Sequence, residues 1–266
     1  MLQIDLKEKK ALVTGGSMGI GAEICKQLAN CGADVFINYY SNKEKAETLV
    51  KELDEAYGVK AVCAGANVAD SKQVKEMFLK MDNELGGIDI LVNNAGTESI
   101  HHVLDMEEKE WDRVMNTNLK GPFLCSQQAA QRMELSGGGV IINISSIHDV
   151  VPRKGLIHYC SAKAGLKMFS KCLSLELADK GIRVLSIAPG AIETNMNREE
   201  IGKFGKDKFE KWIPQGRIGE VSDVANTVAF MASDLASYVN GTDIYIDGAY
   251  MNHTIQYDPR PPRRKD

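Results

Sequence analysis

Short apolar runs and amphipathic segments alternate along this chain from end to end. Residues 11–14, 34–39, 60–64, 88–93, 140–144, 183–187 and 243–246 form runs rich in Val, Ile and Leu. Between them, 22–31, 43–57 and 71–85 place apolar residues at helical spacing. A strand that is apolar at consecutive positions is buried on both faces, and strands separated by helices form a parallel sheet covered on both sides. The pattern predicts a single α/β domain over residues 1–250, a doubly wound parallel sheet of about seven strands with ligands at the strands' carboxyl ends. The alternation loosens at 195–216, where charges interleave with Met196, Phe204, Phe209, Trp212 and Ile213. It stops in a polar, proline-rich, basic tail at 251–266.

Composition narrows the picture without changing it. A chain of 266 residues with 44% hydrophobic content can bury a full core in one domain. A net charge of -4 argues against nucleic acid or an anionic membrane as the main partner. No apolar run approaches the roughly 20 residues that cross a bilayer, and residues 1–10 are too charged for a signal peptide, so a cytoplasmic protein is expected. The six cysteines are scattered without a CxxC pair, which fits reduced thiols. The five histidines show no ligand spacing, His101 and His102 read as a solvated pair, and no metal is expected.

Candidate chemistry gathers at 140–163. A buried strand ends at Ser145 and Ser146, and a helix opening near Tyr159 presents Lys163 one turn later on the same face. A free phenol has a pKa of about 10, and a nearby cation that lowered it to about 7 would contribute about 4 kcal/mol. Tyr159 is then expected to exchange a proton with a substrate oxygen to which Ser146 donates a hydrogen bond. At the other end of the chain the first strand runs into Thr14-Gly15-Gly16-Ser17-Met18-Gly19-Ile20-Gly21 and then a helix. Glycines at such a turn let the backbone approach a pyrophosphate at the helix N-terminus.

The GxxxGxG spacing, Asn93-Asn94-Ala95-Gly96 after the fourth strand, Ser146, the Tyr159 and Lys163 pair, and Pro189-Gly190-Ala191-Ile192-Glu193-Thr194 after the sixth together resemble the short-chain dehydrogenase/reductase family over roughly residues 5–250. The resemblance implies a Rossmann-type domain that moves a hydride between NADP(H) or NAD(H) and an alcohol or ketone. It implies Asn118, Ser146, Tyr159 and Lys163 as catalytic residues. It places the cofactor on Gly15, Ser17, Met18, Gly19, Ile20 and Gly21, with Asn93 supporting the adenosine side. Asn38, Tyr39, Tyr40, Ser41, Asn67, Val68, Asn94, Ala95 and Gly96 continue that surface. Tyr159, Lys163, Pro189, Gly190, Ile192 and Thr194 complete it. It also implies a lid at 195–216 and a homodimer or homotetramer. The helix after Tyr159, apolar on two sides, agrees with the last of these.

Three positions add detail. Pro122 lies four residues after Asn118 and has no N–H for its carbonyl, which predicts either a simple helix kink or a free carbonyl holding a water that links Lys163 to solvent. The second strand ends in Asn38-Tyr39-Tyr40-Ser41 with no acid before Glu44, although Met18 stands where the family often has an arginine; the balance favours NADP(H), with NAD(H) possible. Asn67 stands where the family usually has Asp, and its amide oxygen can still accept from the adenine amine.

Glu98, Ser145 to His148, His158 and Tyr159 resemble glucose 1-dehydrogenases, whereas residues 232–237 with 247–250 resemble bacterial hydroxysteroid dehydrogenases. Glu98, Ser146, His148, Tyr159 and Met196 are the expected substrate contacts. A ring secondary alcohol is the expected substrate, the steroid placed ahead of the sugar. A 3-oxoacyl carrier protein reductase and a non-catalytic cofactor-binding regulator rank behind both.

Overall fold

In a computed structural model, residues 4–194, 201–203 and 205–253 are described. Seven strands, β1 (Lys10–Val13), β2 (Asp34–Tyr39), β3 (Ala61–Gly65), β4 (Ile90–Asn93), β5 (Gly139–Ile144), β6 (Ile182–Pro189) and β7 (Asp243–Ile246), form one sheet in the order β3-β2-β1-β4-β5-β6-β7. Every pairing is parallel. Helices α1 (Gly19–Asn30), α2 (Lys43–Tyr57), α3 (Ser71–Leu85), α4 (Glu108–Met115), α5 (Gly121–Ser136), α6 (Ile157–Leu177), α7 (Lys206–Glu210) and α8 (Val221–Ala232) connect and cover the strands.

Successive strand residues face opposite sides of the sheet and feed two cores. Val13, Ile37, Val92 and Ile142 pack with Ile24 and Leu28 of α1 and Val224 and Val228 of α8. Leu12, Phe36, Leu91 and Ile141 pack with Phe78 and Met81 of α3 and Ala129 and Met133 of α5. Each fully buried side chain of this size contributes about 1.5–3 kcal/mol relative to exposure. Both cores are thus needed to hold the strand ends on which the site is built. All six cysteines are free thiols. Among the described residues no helix is long and apolar enough to cross a membrane.

The sequence reads as one long helix through residue 118, and the structure divides it. A π-helical turn, Asn116–Lys120, separates α4 from α5, and the Gly121 N–H donates to the Asn116 carbonyl five residues back. Pro122 follows and has no N–H for the carbonyls of Thr117 or Asn118, so the turn widens where those bonds would otherwise close.

Candidate active site

From β1 the chain moves outward to β2 and β3, then returns to lay β4 on the other side of β1. The loops leaving β1 and β4 therefore part, and a crevice opens at their carboxyl ends. The cavity there measures about 1150 Å³. Every cofactor and catalytic residue expected from the sequence lines it except Tyr39 and Asn93, as do Glu98 and His148. Tyr39 is a correction with a simple cause: alternation turns Asn38 and Tyr40 to one side and Tyr39 to the other. Its ring packs over Gly65, where a Cβ would stand 3.1 Å away. Asn93 is buried off the cavity wall; its amide donates to Ser126 Oγ at 3.0 Å and to Asn143 Oδ1 at 2.8 Å, on the neighbouring strand β5. Met196 lies outside the described residues.

Gly15 and Gly19 have φ of +61° and +55°, backbone that favours glycine. A Cβ on Gly21 would stand 2.3 Å from the Gly15 carbonyl oxygen, so α1 reaches the turn only without a side chain there. In front of Gly19 the space is open, the nearest atom to an added Cβ being the Thr194 methyl at 4.0 Å. Met18 makes no side-chain cap and the first turn of α1 carries no acid. Uncapped N–H groups and the positive end of a helix dipole at an open glycine turn fit a pyrophosphate, and hence a nicotinamide dinucleotide.

Side chains brace this turn. Thr14 Oγ1 accepts from the N–H groups of Asn94 and Ala95, both at 3.0 Å, and Asn94 Nδ2 donates to the carbonyls of Thr14 and Gly15 at 3.0 and 3.1 Å. Asn38 Oδ1 accepts from the Gly15 N–H at 3.3 Å while its Nδ2 donates to the Ala66 carbonyl at 3.1 Å. Asn38 therefore spends its amide on the fold, and the adenosine ribose is left to Tyr40 and Ser41. Asn67 Oδ1 accepts from the Ala69 N–H at 3.0 Å, which leaves one lone pair for an adenine amine.

At the reacting end, Ser146 shares a hydrogen bond with the Tyr159 phenol and accepts from the His148 N–H at 3.2 Å. Lys163 Nζ donates to the Ile144 carbonyl at 2.9 Å and lies 5.5 Å from the centre of the Tyr159 ring. Burial pushes the phenol up from its ordinary range, the charge of Glu98 adds to that, and the Ser146 bond opposes it. Burial also brings the Lys163 ammonium down to about 8, against the pull of Glu98 and Asp149. Burial thus works against the phenolate that a nearby cation would favour, and the protonated phenol is the form that delivers a proton to a ketone oxygen.

Asn118 is fully buried, with both amide protons committed to the carbonyls of Thr97 and Val114 at 2.7 and 2.9 Å and Oδ1 accepting from the Thr97 N–H at 3.3 Å. Its side chain clasps Thr97, so only its backbone carbonyl, the group Pro122 cannot serve, is left to offer the reaction.

A family model described as enoyl-(acyl carrier protein) reductase matches residues 15–251. The 3-oxoacyl-[acyl-carrier-protein] reductase FabG of Staphylococcus aureus is 43% identical over 240 residues, 90% of this chain and 97% of that protein. The chain belongs to the short-chain dehydrogenase/reductase family. A 3beta-hydroxysteroid dehydrogenase 1 of Eggerthella lenta is 40% identical over 246 residues, 92% of this chain and 94% of its own. The crystal structure of a gluconate 5-dehydrogenase from Burkholderia cenocepacia, in complex with NADP and tartrate, superposes with a TM-score of 0.88 at 34% identity, covering 94% of this chain and 98% of that one. As a short-chain dehydrogenase/reductase, the protein is an oxidoreductase acting on CH-OH groups with NAD(P).

The substrate end of this short-chain dehydrogenase adds residues that sequence reasoning missed. Of the expected lid at 195–216, Ile201 and Ile213 pack with Ile218 in a small apolar cluster that Phe209 and Tyr250 join. The rings of Phe209 and Trp212 are 5.4 Å apart, and Tyr250 lines the cavity beside them. Phe204 lies outside the described residues. Behind the catalytic serine, Asp149 accepts from Ser145 Oγ and from the Tyr245 hydroxyl, each at 3.0 Å, and Lys167 donates to Tyr245 at 2.5 Å. Burial raises the Asp149 carboxyl, and these donors work against the rise. Residues 149 and 245 lie too far apart in the chain for any spacing to connect them.

Proposed function

We propose that the protein is an NADP(H)-linked dehydrogenase of a ring secondary alcohol, with a hydroxysteroid as its substrate and NAD(H) as an accepted second cofactor. The observation that carries this reading is the mixed lining beside Tyr159: Ile201, Phe209 and Trp212 offer apolar surface, and Glu98, His148 and Arg153 offer polar groups. A rigid ring system with one apolar face and scattered hydroxyls suits such a lining. Similarity to the Eggerthella hydroxysteroid dehydrogenase supports the choice. A sugar is the second reading. Glu98 acts on the charges of both Tyr159 and Lys163, which suits a substrate with a hydroxyl beside the reacting carbon, and the gluconate dehydrogenase likeness points the same way.

In this reading the dinucleotide supplies the hydride carrier. Tyr159 gives or takes the proton, Ser146 fixes the substrate oxygen beside the phenol, and Lys163 provides positive charge to the ribose end. Tyr40 and Ser41 line the adenosine end and the nearest acid, Glu44, belongs to the first turn of α2, so nothing there repels a 2'-phosphate. The exposed apolar face of Phe123, Met168 and Leu175 supports a homodimer or homotetramer, and a cytoplasmic location accords with the free thiols.

The test is a panel of hydroxysteroids, aldoses and 3-oxoacyl thioesters assayed with both cofactors by the absorbance of the reduced nicotinamide. Turnover of a hydroxysteroid with NADP(H) is the expected result. Efficient oxidation of glucose with every steroid ignored would transfer the assignment to the sugar reading, and exclusive use of acyl thioesters would remove both.

A further inference from the structure

The residue before Tyr159 is a fully buried histidine for which the proton transfer has no use. His158 Nδ1 faces the Tyr159 N–H at 3.0 Å, and its Nε2 faces Ser99 Oγ at 3.1 Å. Ser99 Oγ is bonded in turn to Glu110 Oε1. Arg113 grips Glu110 with two bonds, Nε to Oε2 at 2.8 Å and Nη2 to Oε1 at 2.6 Å, and its Nη1 donates to Thr97 Oγ1 at 2.5 Å. Arg113 above all, then Ser99, hold the Glu110 carboxyl down at about 2, so it acts as an acceptor only.

Counting protons fixes the direction of the chain. A hydroxyl has one proton, and Ser99 must give it to the carboxylate, because two acceptor oxygens have no bond without it. His158 must then donate to Ser99 from Nε2, which leaves Nδ1 free to accept from the Tyr159 N–H. That N–H belongs to the first turn of α6, where backbone donors have no helical acceptor. Burial favours the neutral ring this requires, with His101, whose ring lies 6.4 Å away, and Arg113 acting the same way and the charge of Glu110 and the Leu156 carbonyl pulling against it.

We infer that His158 is a positioning residue that registers the loop bearing Glu98 against the catalytic tyrosine. Glu98 sits between two anchored neighbours: Thr97, clasped by Asn118 and Arg113, and Ser99, held by His158 and Glu110. The same ring caps Tyr159. One neutral histidine thus sets the distance between the group that recognises the substrate and the group that moves its proton. The kinetic consequence rests on Glu98 touching substrate, as proposed above; the hydrogen-bond direction does not.

The two nitrogens are separable by substitution. His158→Asn keeps an acceptor for the Tyr159 N–H and loses the donor to Ser99, whereas His158→Gln keeps a donor in reach of Ser99 and loses the acceptor. With the alcohol turned over best in the panel, His158→Asn and Ser99→Ala should each raise its KM about tenfold, the loss of one hydrogen bond in a charged network, with kcat within about threefold. The double variant should be no worse than either single one, and His158→Gln should recover most of the wild-type KM. KM for the cofactor should not move. Equal KM rises in Asn and Gln variants, or lowered thermal stability with KM unchanged, would overturn the assignment. Independently of any substrate, nitrogen-15 NMR of histidine-labelled enzyme at pH 7, with the His158 signal identified by its loss in His158→Gln, should show the Nε2-protonated tautomer. A Nδ1-protonated or doubly protonated ring would overturn it even if a steroid proves to be the substrate.

Discussion

Around β1 to β3 the cleft wall is main chain, and around β4 to β6 it is side chain. On the first side Gly15, Gly19 and Gly21 clear space, α1 presents bare N–H groups, and Thr14, Asn38 and Asn94 work only as braces behind the turn. On the second side Ser146, Tyr159, Lys163 and Glu98 line the cavity; the first three are steadied by bonds to other groups, and Glu98 by the anchoring of its neighbours Thr97 and Ser99. The first surface recognises a shape common to all dinucleotides and is defined by missing atoms. The second is defined by where particular atoms are held, so the two sides should fail differently when altered.

The largest effect is expected from Tyr159→Phe. Removal of the acid should lower turnover by about a thousandfold or more, as losing a positioned proton donor does. Dinucleotide binding, followed by fluorescence of the reduced cofactor, should persist because it belongs to the other wall. Lys163→Ala should weaken both, since its ammonium serves the boundary between them. Near-normal turnover in Tyr159→Phe would erase the contrast.

The raised phenol gives a second test. A group that releases its proton only in strongly alkaline solution should make alcohol oxidation climb as pH goes from 7 to 10, while ketone reduction, which uses the protonated phenol, stays level across the same range. Parallel pH profiles in the two directions would show that Tyr159 is not the titrating group. On the main-chain side the expected change is smaller. Tyr40→Asp should move preference from NADP(H) toward NAD(H) by about fivefold, the size of one exposed charge repulsion of about 1 kcal/mol.

The smallest effect concerns stability. Glu110 titrates at about 2 in the folded protein, below the usual range for a carboxylate, so its contribution is present above about pH 4.5 and is lost as pH falls toward 2. Thermal midpoints should drop over that window, and Glu110→Gln should flatten the drop slightly, because the pair with Arg113 is close to solvent.

The contrast also explains what the sequence could disclose. Strand β2 and helices α2 and α3 were legible to the residue, because buried strands and amphipathic helices write their period into local composition. The glycine turn was legible for the same reason, a local spacing with a local cause. Pro122 announced a defect after Asn118, but the π-helical form that it takes was not written there: α6 and the Thr97 loop, which pack against that turn, are distant in the sequence. Tyr39 was misplaced because strand phase decides which side it faces. The partners of His158 and Asp149 were invisible: Ser99 and Tyr245 are brought to them by sheet order, and nothing in either stretch encodes the other.

The link from Asp149 to Tyr245 has a consequence for how the enzyme is born. Synthesis proceeds from the N-terminus and domains assemble as their segments emerge. A nascent chain that has left the ribosome only through β6 already contains Ser146, Tyr159 and Lys163, but β7, the edge strand carrying Tyr245, is still inside the tunnel. Until that strand pairs with β6, placing Asp243 beside Ser186, the carboxylate behind Ser145 lacks its tyrosine donor and the edge of the sheet is open. The cluster of Ser145, Asp149 and Tyr245 beside the catalytic serine is thus completed only when nearly the whole chain has been made.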